Sequence, residues 1–113
     1  MFDSVSMNAL SSALDGLALR QRTIAQNIAN VNTPNYHART VSFEQALAQS
    51  VEAGSGAAIA TTGVSDAPTR QDGNNVSLDN ETLNNIETVL RYQFATRAVN
   101  LDFDLTRSAM RTS

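Results

Sequence analysis

Residues 24–36 read IAQNIANVNTPNY. Ile24, Ile28 and Val31 recur at helical spacing, yet Asn27, Asn30 and Asn32 stand between them and the run ends in Asn32-Thr33-Pro34-Asn35. A residue that precedes proline is driven out of the α region, and asparagine tolerates the left-handed conformation. A helix arriving from the N-terminal side is therefore predicted to stop near Val31 and turn.

Upstream of that stop, the positions Met7, Leu10, Leu14, Leu17, Gln21, Ile24, Ile28 and Val31 advance by alternating threes and fours. That is the seam of a heptad helix with one polar interruption, Gln21. Ala13, Ala18, Ala25 and Ala29 beside it permit close helix approach, and Gly16 is the weak point in propensity. Downstream, HARTV (37–41) reads as a short extended piece. SFEQALAQSVEA (42–53) reads as a brief helix with Ser42 as N-cap and Gln45 completing a capping box. Residues 54–75 are dominated by Gly, Ser, Thr, Ala and Asp, a composition too poor in aliphatic side chains to offset the entropy of ordering, so a mobile loop without fixed structure is expected there.

A second long helix is predicted after VSLDNE, capped by Asp79 or Asn80, with Glu81 in its first turn. Its apolar positions, Leu83, Ile86, Leu90, Phe94, Ala98, Leu101, Leu105 and Ala109, step mostly by four, nearer to an eleven-residue repeat than to a heptad. Glu87 and Arg91 form an i,i+4 pair in the favourable order. The expected fold is mainly α: two long terminal amphipathic helices pairing as a coiled coil, a short middle helix and a flexible polar loop, partly disordered as a free monomer. The corresponding segments are 1–33, 34–78 and 79–113. Two stripes make a thin core, and assembly with other chains is the natural way to cover them.

Composition narrows the function. A chain of 113 residues with 42% hydrophobic and 5% aromatic content is one modest domain at most. Its net charge of −3, with eight basic residues that are all arginine, lacks the clustered positive charge a nucleic-acid binder uses to displace counterions. Without cysteine there is no disulfide framework or thiolate metal site, and the chain is indifferent to redox compartment. Asp3 where a basic leader would stand, and the lack of a long apolar run, predict neither a secretory signal peptide nor a transmembrane helix.

Candidate chemistry is thin. His37, the one histidine, reads as an exposed loop residue, with neither cysteine for a zinc site nor a nucleophile elbow beside it. DGNNVSLDNETL from Asp72 begins like a calcium loop but carries Ser77 in place of the obligatory glycine and Leu83 in place of the bidentate glutamate, so capping and turn roles are expected. GSG at 54–56 reads as a flexible link, and the acceptor patterns at Asn75 and Asn80 as chance. No catalytic, cofactor or metal residue is assigned, and neither a nucleic acid nor a small-molecule substrate is expected.

IAQNIANVNTPNYHAR resembles the N-terminal signature of bacterial flagellar rod, hook and hook-filament junction proteins, N-I-A-N-x-N-T-P-G-Y. The match runs over Asn27, Ile28, Ala29, Asn30, Asn32, Thr33, Pro34 and Tyr36, with Asn35 where glycine is usual; asparagine is the best non-glycine residue at positive φ. DGNNVSLDNETLN and RYQFATRAVN are similar to the proximal-rod branch of that family. The second proximal rod protein, whose C-terminal signature surrounds a Ser-Arg-Ala-Tyr-Glu core, is the alternative.

The resemblance implies a structural, non-enzymatic subunit of the periplasmic rod of the flagellar basal body, exported unfolded by the flagellar type III apparatus without a cleaved signal and needed for motility. Its implied partners are copies of itself, other rod proteins, and the MS-ring and export-gate junction proteins at the rod base. Asn27, Ile28, Ala29, Asn30, Asn32, Thr33, Pro34, Asn35 and Tyr36 become an assembly motif whose amides bridge the turn and adjacent subunits. Leu10, Leu14, Leu17, Gln21, Ile24 and Val31 would pair with Leu83, Ile86, Leu90, Phe94, Leu101 and Leu105 along a helix seam. A membrane-surface amphipathic protein is a different reading, but it calls for Lys/Arg-rich polar faces, and the first helix offers Arg20 and Arg22 alone.

Overall fold

A computed structural model describes residues 4–112. The order of elements is α1 (Ser4–Ala29), β1 (Arg39–Ser42), α2 (Glu44–Glu52), β2 (Thr61–Val64) and α3 (Leu78–Thr112). The two long helices run antiparallel: Asn27 near the end of α1 meets Glu81 in the first turn of α3, while Leu10 and Ala13 share a groove with Ala95 and Ala98. The result is a rod measuring 67 × 26 × 14 Å. The mainly helical architecture expected from the two periodic stretches is what forms, with one addition and several local differences.

The addition is a hairpin. β1 and β2 pair antiparallel from Arg39 opposite Val64 to Ser42 opposite Thr61, with α2 inside the connection. Two strands alone are marginal in water, and these hold because Val41 and the adjoining Phe43 bury against Leu17 of α1, with Leu47, Ala60 and Tyr92 packed around them. Gly16 makes room for this: a Cβ there would lie 2.6 Å from the Phe43 ring. The residue that weakens the helix is thus the socket for its largest partner. The Arg20 guanidinium lies over that ring, 4.9 Å from its centroid, and donates to the Val41 carbonyl at 2.7 Å.

Residues 54–75 are therefore not without fixed structure. They contain β2, and their first turn is stapled to α1: Ser12 Oγ donates to the Gly56 carbonyl at 3.0 Å and accepts from Ala58 N–H at 3.1 Å, and Asn8 Nδ2 donates to the Ser55 carbonyl. Gly56, at φ 72°, sits so close to α1 that a Cβ would collide with the Val5 carbonyl. GSG is a docking turn and not a loose link. Polar side chains supply the order here, which a count of aliphatic residues misses.

The start of α2 also differs from expectation. Ser42 belongs to β1, Phe43 stands at the N-cap with no side-chain cap bond, and no capping box forms with Gln45. The Glu44 carboxylate instead accepts from Phe43 N–H at 3.2 Å and pairs with Arg20 at 2.5 Å. Strand pairing has taken Ser42 out of the cap position.

Candidate assembly site: the asparagine-closed turn and the outer face of α3

α1 ends at Ala29, two residues before the predicted stop, and tightens through bonds from Asn30 N–H to both Gln26 and Asn27 carbonyls and from Val31 N–H to Ile28. Asn35 adopts φ 62°, the left-handed conformation expected where the signature has glycine. Its N–H donates to the Asp72 carbonyl at 2.8 Å, which ties the turn to the segment leading into α3.

Asn27 is the hub beneath this turn, 1% exposed. Its Nδ2 donates to the Arg39 carbonyl at 2.9 Å and to Glu81 Oε1 at 3.1 Å, and its Oδ1 accepts from Arg39 N–H at 2.9 Å and Tyr36 O–H at 3.3 Å. One amide thereby joins α1, β1 and α3 with its hydrogen-bonding capacity filled, the condition for burying such a group without loss. Glu81 is buried against it, and burial pushes its carboxyl above the usual range while the Asn27 bond opposes that rise. Glu44, by contrast, is held down to about 2 by its bond to Arg20.

Two further asparagines complete the closure, and both were read as loop residues in the sequence. Asn74, fully buried, donates to the Asn30 and Thr33 carbonyls at 2.8 Å each and accepts from Val76 N–H at 2.7 Å. Asn75 accepts from Ala38 N–H at 2.6 Å and donates to the Ser65 and Ala67 carbonyls. Arg70 adds donations to the carbonyls of Val31 and Val76. The paired asparagines of DGNN were the available signal; Asp72 Oδ1 accepts from Asn74 N–H at 3.0 Å, so the stretch is a turn that aims these amides inward.

Of the other signature residues, Asn30 bridges Gln26 and Thr33, Ile28 and Tyr36 are half-buried, and Ala29, Asn32, Thr33 and Pro34 are exposed. The bridging that is visible lies within the chain.

The helix seam forms only on one side. In α1, Leu17 and Ile24 are buried, and Leu10, Leu14, Gln21 and Val31 are half-buried. In α3, Leu83, Ile86, Leu90, Leu101 and Leu105 are between 49% and 64% exposed, on the side away from α1, and Phe94, 78% exposed, stands at the edge of the groove that Leu10, Ala13 and Leu17 line. The intramolecular face of α3 is instead Glu81, Thr88, Ala95 and Asp102, spaced by seven, with half-buried Tyr92 and Val99 between them and Thr106 beyond. Thr88 and Thr106 return their hydroxyl protons to carbonyls one turn back, Asn84 and Asp102, so a polar face can be buried. The Asn27–Glu81 bond and the 70–76 turn set the rotational phase of α3 at its start, and the rest of the helix carries that phase along.

Residues 7–37 match the family described as flagella basal body rod protein. The flagellar basal body rod protein FlgB of Bacillus subtilis (strain 168) is 28% identical over 123 aligned residues, covering 95% of this chain and 94% of that protein. FlgB of Borrelia hermsii is 45% identical over 47 residues, 42% of this chain and 35% of that protein. FlgB of Borreliella burgdorferi is 53% identical over 34, 30% of this chain and 25% of that protein. The chain is similar to the flagellar basal body rod proteins and, among them, to FlgB.

Proposed function

We propose that this chain, like the rod proteins it resembles, is a structural subunit of the flagellar basal body rod, located in the periplasmic part of the basal body. It is delivered by the flagellar type III apparatus without cleavage of a signal, polymerises through its terminal helices, and is needed for motility. Its partners in this reading are other copies, the neighbouring rod proteins, and the MS-ring and export-gate junction proteins at the rod base. The likeness to FlgB over 95% of the chain supports this reading over the second proximal rod protein.

The observation that carries the reading is the division of labour in α3. A 35-residue helix, about 52 Å long at 1.5 Å per residue, spends polar and small residues on its own partner helix and keeps its apolar stripe outward. A chain meant to remain a monomer hides such a stripe; a subunit presents it. The closed turn serves the same end, because Asn27, Asn74 and Asn75 lock the helix pair at one end through hydrogen bonds and leave the apolar stripe of α3 uncovered. The flanks of the stripe hold Glu87 and Asp104 as well as Arg91 and Arg97, which suits a protein neighbour better than an anionic lipid surface.

The test is a deletion strain complemented with the tagged chain. Loss of swimming on deletion, restoration on complementation, and recovery of the tag in purified basal bodies are the expected results. Normal swimming in the deletion, or a tag absent from purified basal bodies of a swimming strain, would overturn the reading, and strong flotation of the pure protein with liposomes would favour the membrane-surface one.

A further inference from the structure

The turn that leads into α3 contains the dipeptide Asp72-Gly73. In a flexible chain this pair is chemically unstable. The Gly73 nitrogen, unhindered by a neighbouring Cβ, attacks Asp72 Cγ; an N–C bond forms, a C–O bond of the carboxyl breaks, and water leaves with the amide proton. The cyclic succinimide that results takes water back at either carbonyl. Addition at Cγ restores aspartate. Addition at the Asp72 main-chain carbon leaves isoaspartate, whose backbone runs through Cβ and Cγ and is longer by a single atom, about 1.5 Å. Water is the only co-reactant, and it is returned.

The fold requires both residues. Gly73 has φ 82°, and a Cβ on it would collide with Asn35 Oδ1. Asp72 Oδ1 accepts from Asn74 N–H at 3.0 Å and lies 3.8 Å from Arg70 Nε, and the Asp72 main-chain carbonyl accepts from Asn35 N–H at 2.8 Å. The bonds that make the dipeptide necessary also keep it from reacting. Ring closure requires Gly73 to lose its amide proton and Asp72 Cγ to swing onto the nitrogen in an aligned approach. In the closed turn Gly73 N–H donates to the Arg70 carbonyl at 2.9 Å, and the carboxylate is anchored to Asn74 N–H.

We infer that Asp72-Gly73 is a modification site gated by folding: the chain isomerises to isoaspartate at 72 while unfolded or locally open, is protected once the turn closes, and after conversion cannot close it. The last step follows from register. Asn74 reaches the Asn30 and Thr33 carbonyls at 2.8 Å each, while Asn75 accepts from Ala38 N–H at 2.6 Å and donates its own N–H to the Tyr36 carbonyl at 3.2 Å. A further main-chain atom just ahead of them displaces both amides by about 1.5 Å, more than a hydrogen bond tolerates. Asn74 and Asn75 are buried, so their unmet partners would be buried too. This goes beyond the rod reading and does not depend on it, because only folding is involved.

The readout is the tryptic peptide 71–91, whose aspartyl and isoaspartyl forms separate by chromatography and whose fragmentation distinguishes position 72 from Asp79. The full chain is held in warm neutral buffer and in urea, with a free peptide RQDGNNV (70–76) in both to correct for the solvent. Isoaspartate at 72 should accumulate at least about tenfold faster in urea, since the folded chain must wait for the turn to open. Asn74→Ala removes the closing amide and keeps the dipeptide, so its rate in buffer should rise several-fold whether the variant opens locally or unfolds. After urea is removed from an aged sample, a brief protease pulse should leave survivors about tenfold poorer in isoaspartate at 72 than the input, because the pulse removes chains that stay open. Equal corrected rates in buffer and urea, or an unchanged rate in Asn74→Ala, overturn the gating. Survivors as rich in isoaspartate as the input overturn the lock-out, and a urea sample that forms none removes the site altogether.

Discussion

Asn27 shows how much one side chain can organise. Leucine shares its branching at Cγ but is bulkier and carries no polar atoms, and Asn27→Leu would leave Arg39 N–H and C=O, Tyr36 O–H and the Glu81 carboxylate without the partner they now share. Leaving buried groups unpaired costs more than the bond itself contributes, so a loss of about 3 kcal/mol is expected in urea unfolding. Asn35 is the opposite case, set by backbone and not by partners. At φ 62°, Asn35→Gly should change the midpoint little, whereas Asn35→Val should lower stability by about 1–2 kcal/mol because a β-branched residue is strained there. Equal midpoints for the two variants would show that the turn does not hold this geometry. Asn35 was legible in advance, since the signature's glycine and asparagine share a conformational reason. Asn74 was not, because a buried asparagine in a polar stretch looks like any loop residue until its partners are known.

Among the elements, α1 is shaped as much by what it leaves out as by its stripe. Gly16→Ala gains about 1 kcal/mol of helix propensity, but it places a methyl 2.6 Å from the Phe43 ring. Overpacking of that kind costs about 1–3 kcal/mol, so the variant should unfold at lower urea despite a better helix former, and faster amide exchange at Val41 and Phe43 should mark where the strain falls. A stabilised variant would mean that Phe43 has somewhere else to go. In α3 the period of the apolar positions was plain from the sequence, but their direction was not. Amphipathicity says that a stripe will be covered; it does not say by which molecule.

For the whole molecule, two glutamates oppose each other in pH. Glu44, held down to about 2 from 4.5, gives stability that is complete above about 4.5 and is lost as pH falls toward 2. Glu81, raised by burial, binds its proton more tightly folded than unfolded, so its contribution is complete below 4.5 and is lost as pH rises through its folded value. Stability should therefore peak in mild acid. Glu44→Gln should flatten the acid limb of the urea midpoint against pH, and Glu81→Gln the limb on the neutral side while keeping an acceptor for Asn27 Nδ2. A profile whose neutral limb survives Glu81→Gln would place the titrating group elsewhere.

Local chemistry determined what the sequence alone could determine: two long helices from two periodic stripes, a stop near residue 30 from Asn-Thr-Pro-Asn, a left-handed Asn35, and a likeness to flagellar rod proteins carried by that same stop. Each depends on residues within a few positions of one another, where spacing and backbone preference suffice. Tertiary structure alone decided the hairpin, the socket at Gly16, the amide closure through Asn74 and Asn75, and the turning of α3's apolar stripe away from α1. These depend mainly on partners far along the chain, up to 54 positions apart, and a rotation of α3 by half a turn leaves its periodicity unchanged while exchanging which face is buried. The bond from Asn27 to Glu81, 54 positions apart, selects one rotation over the other.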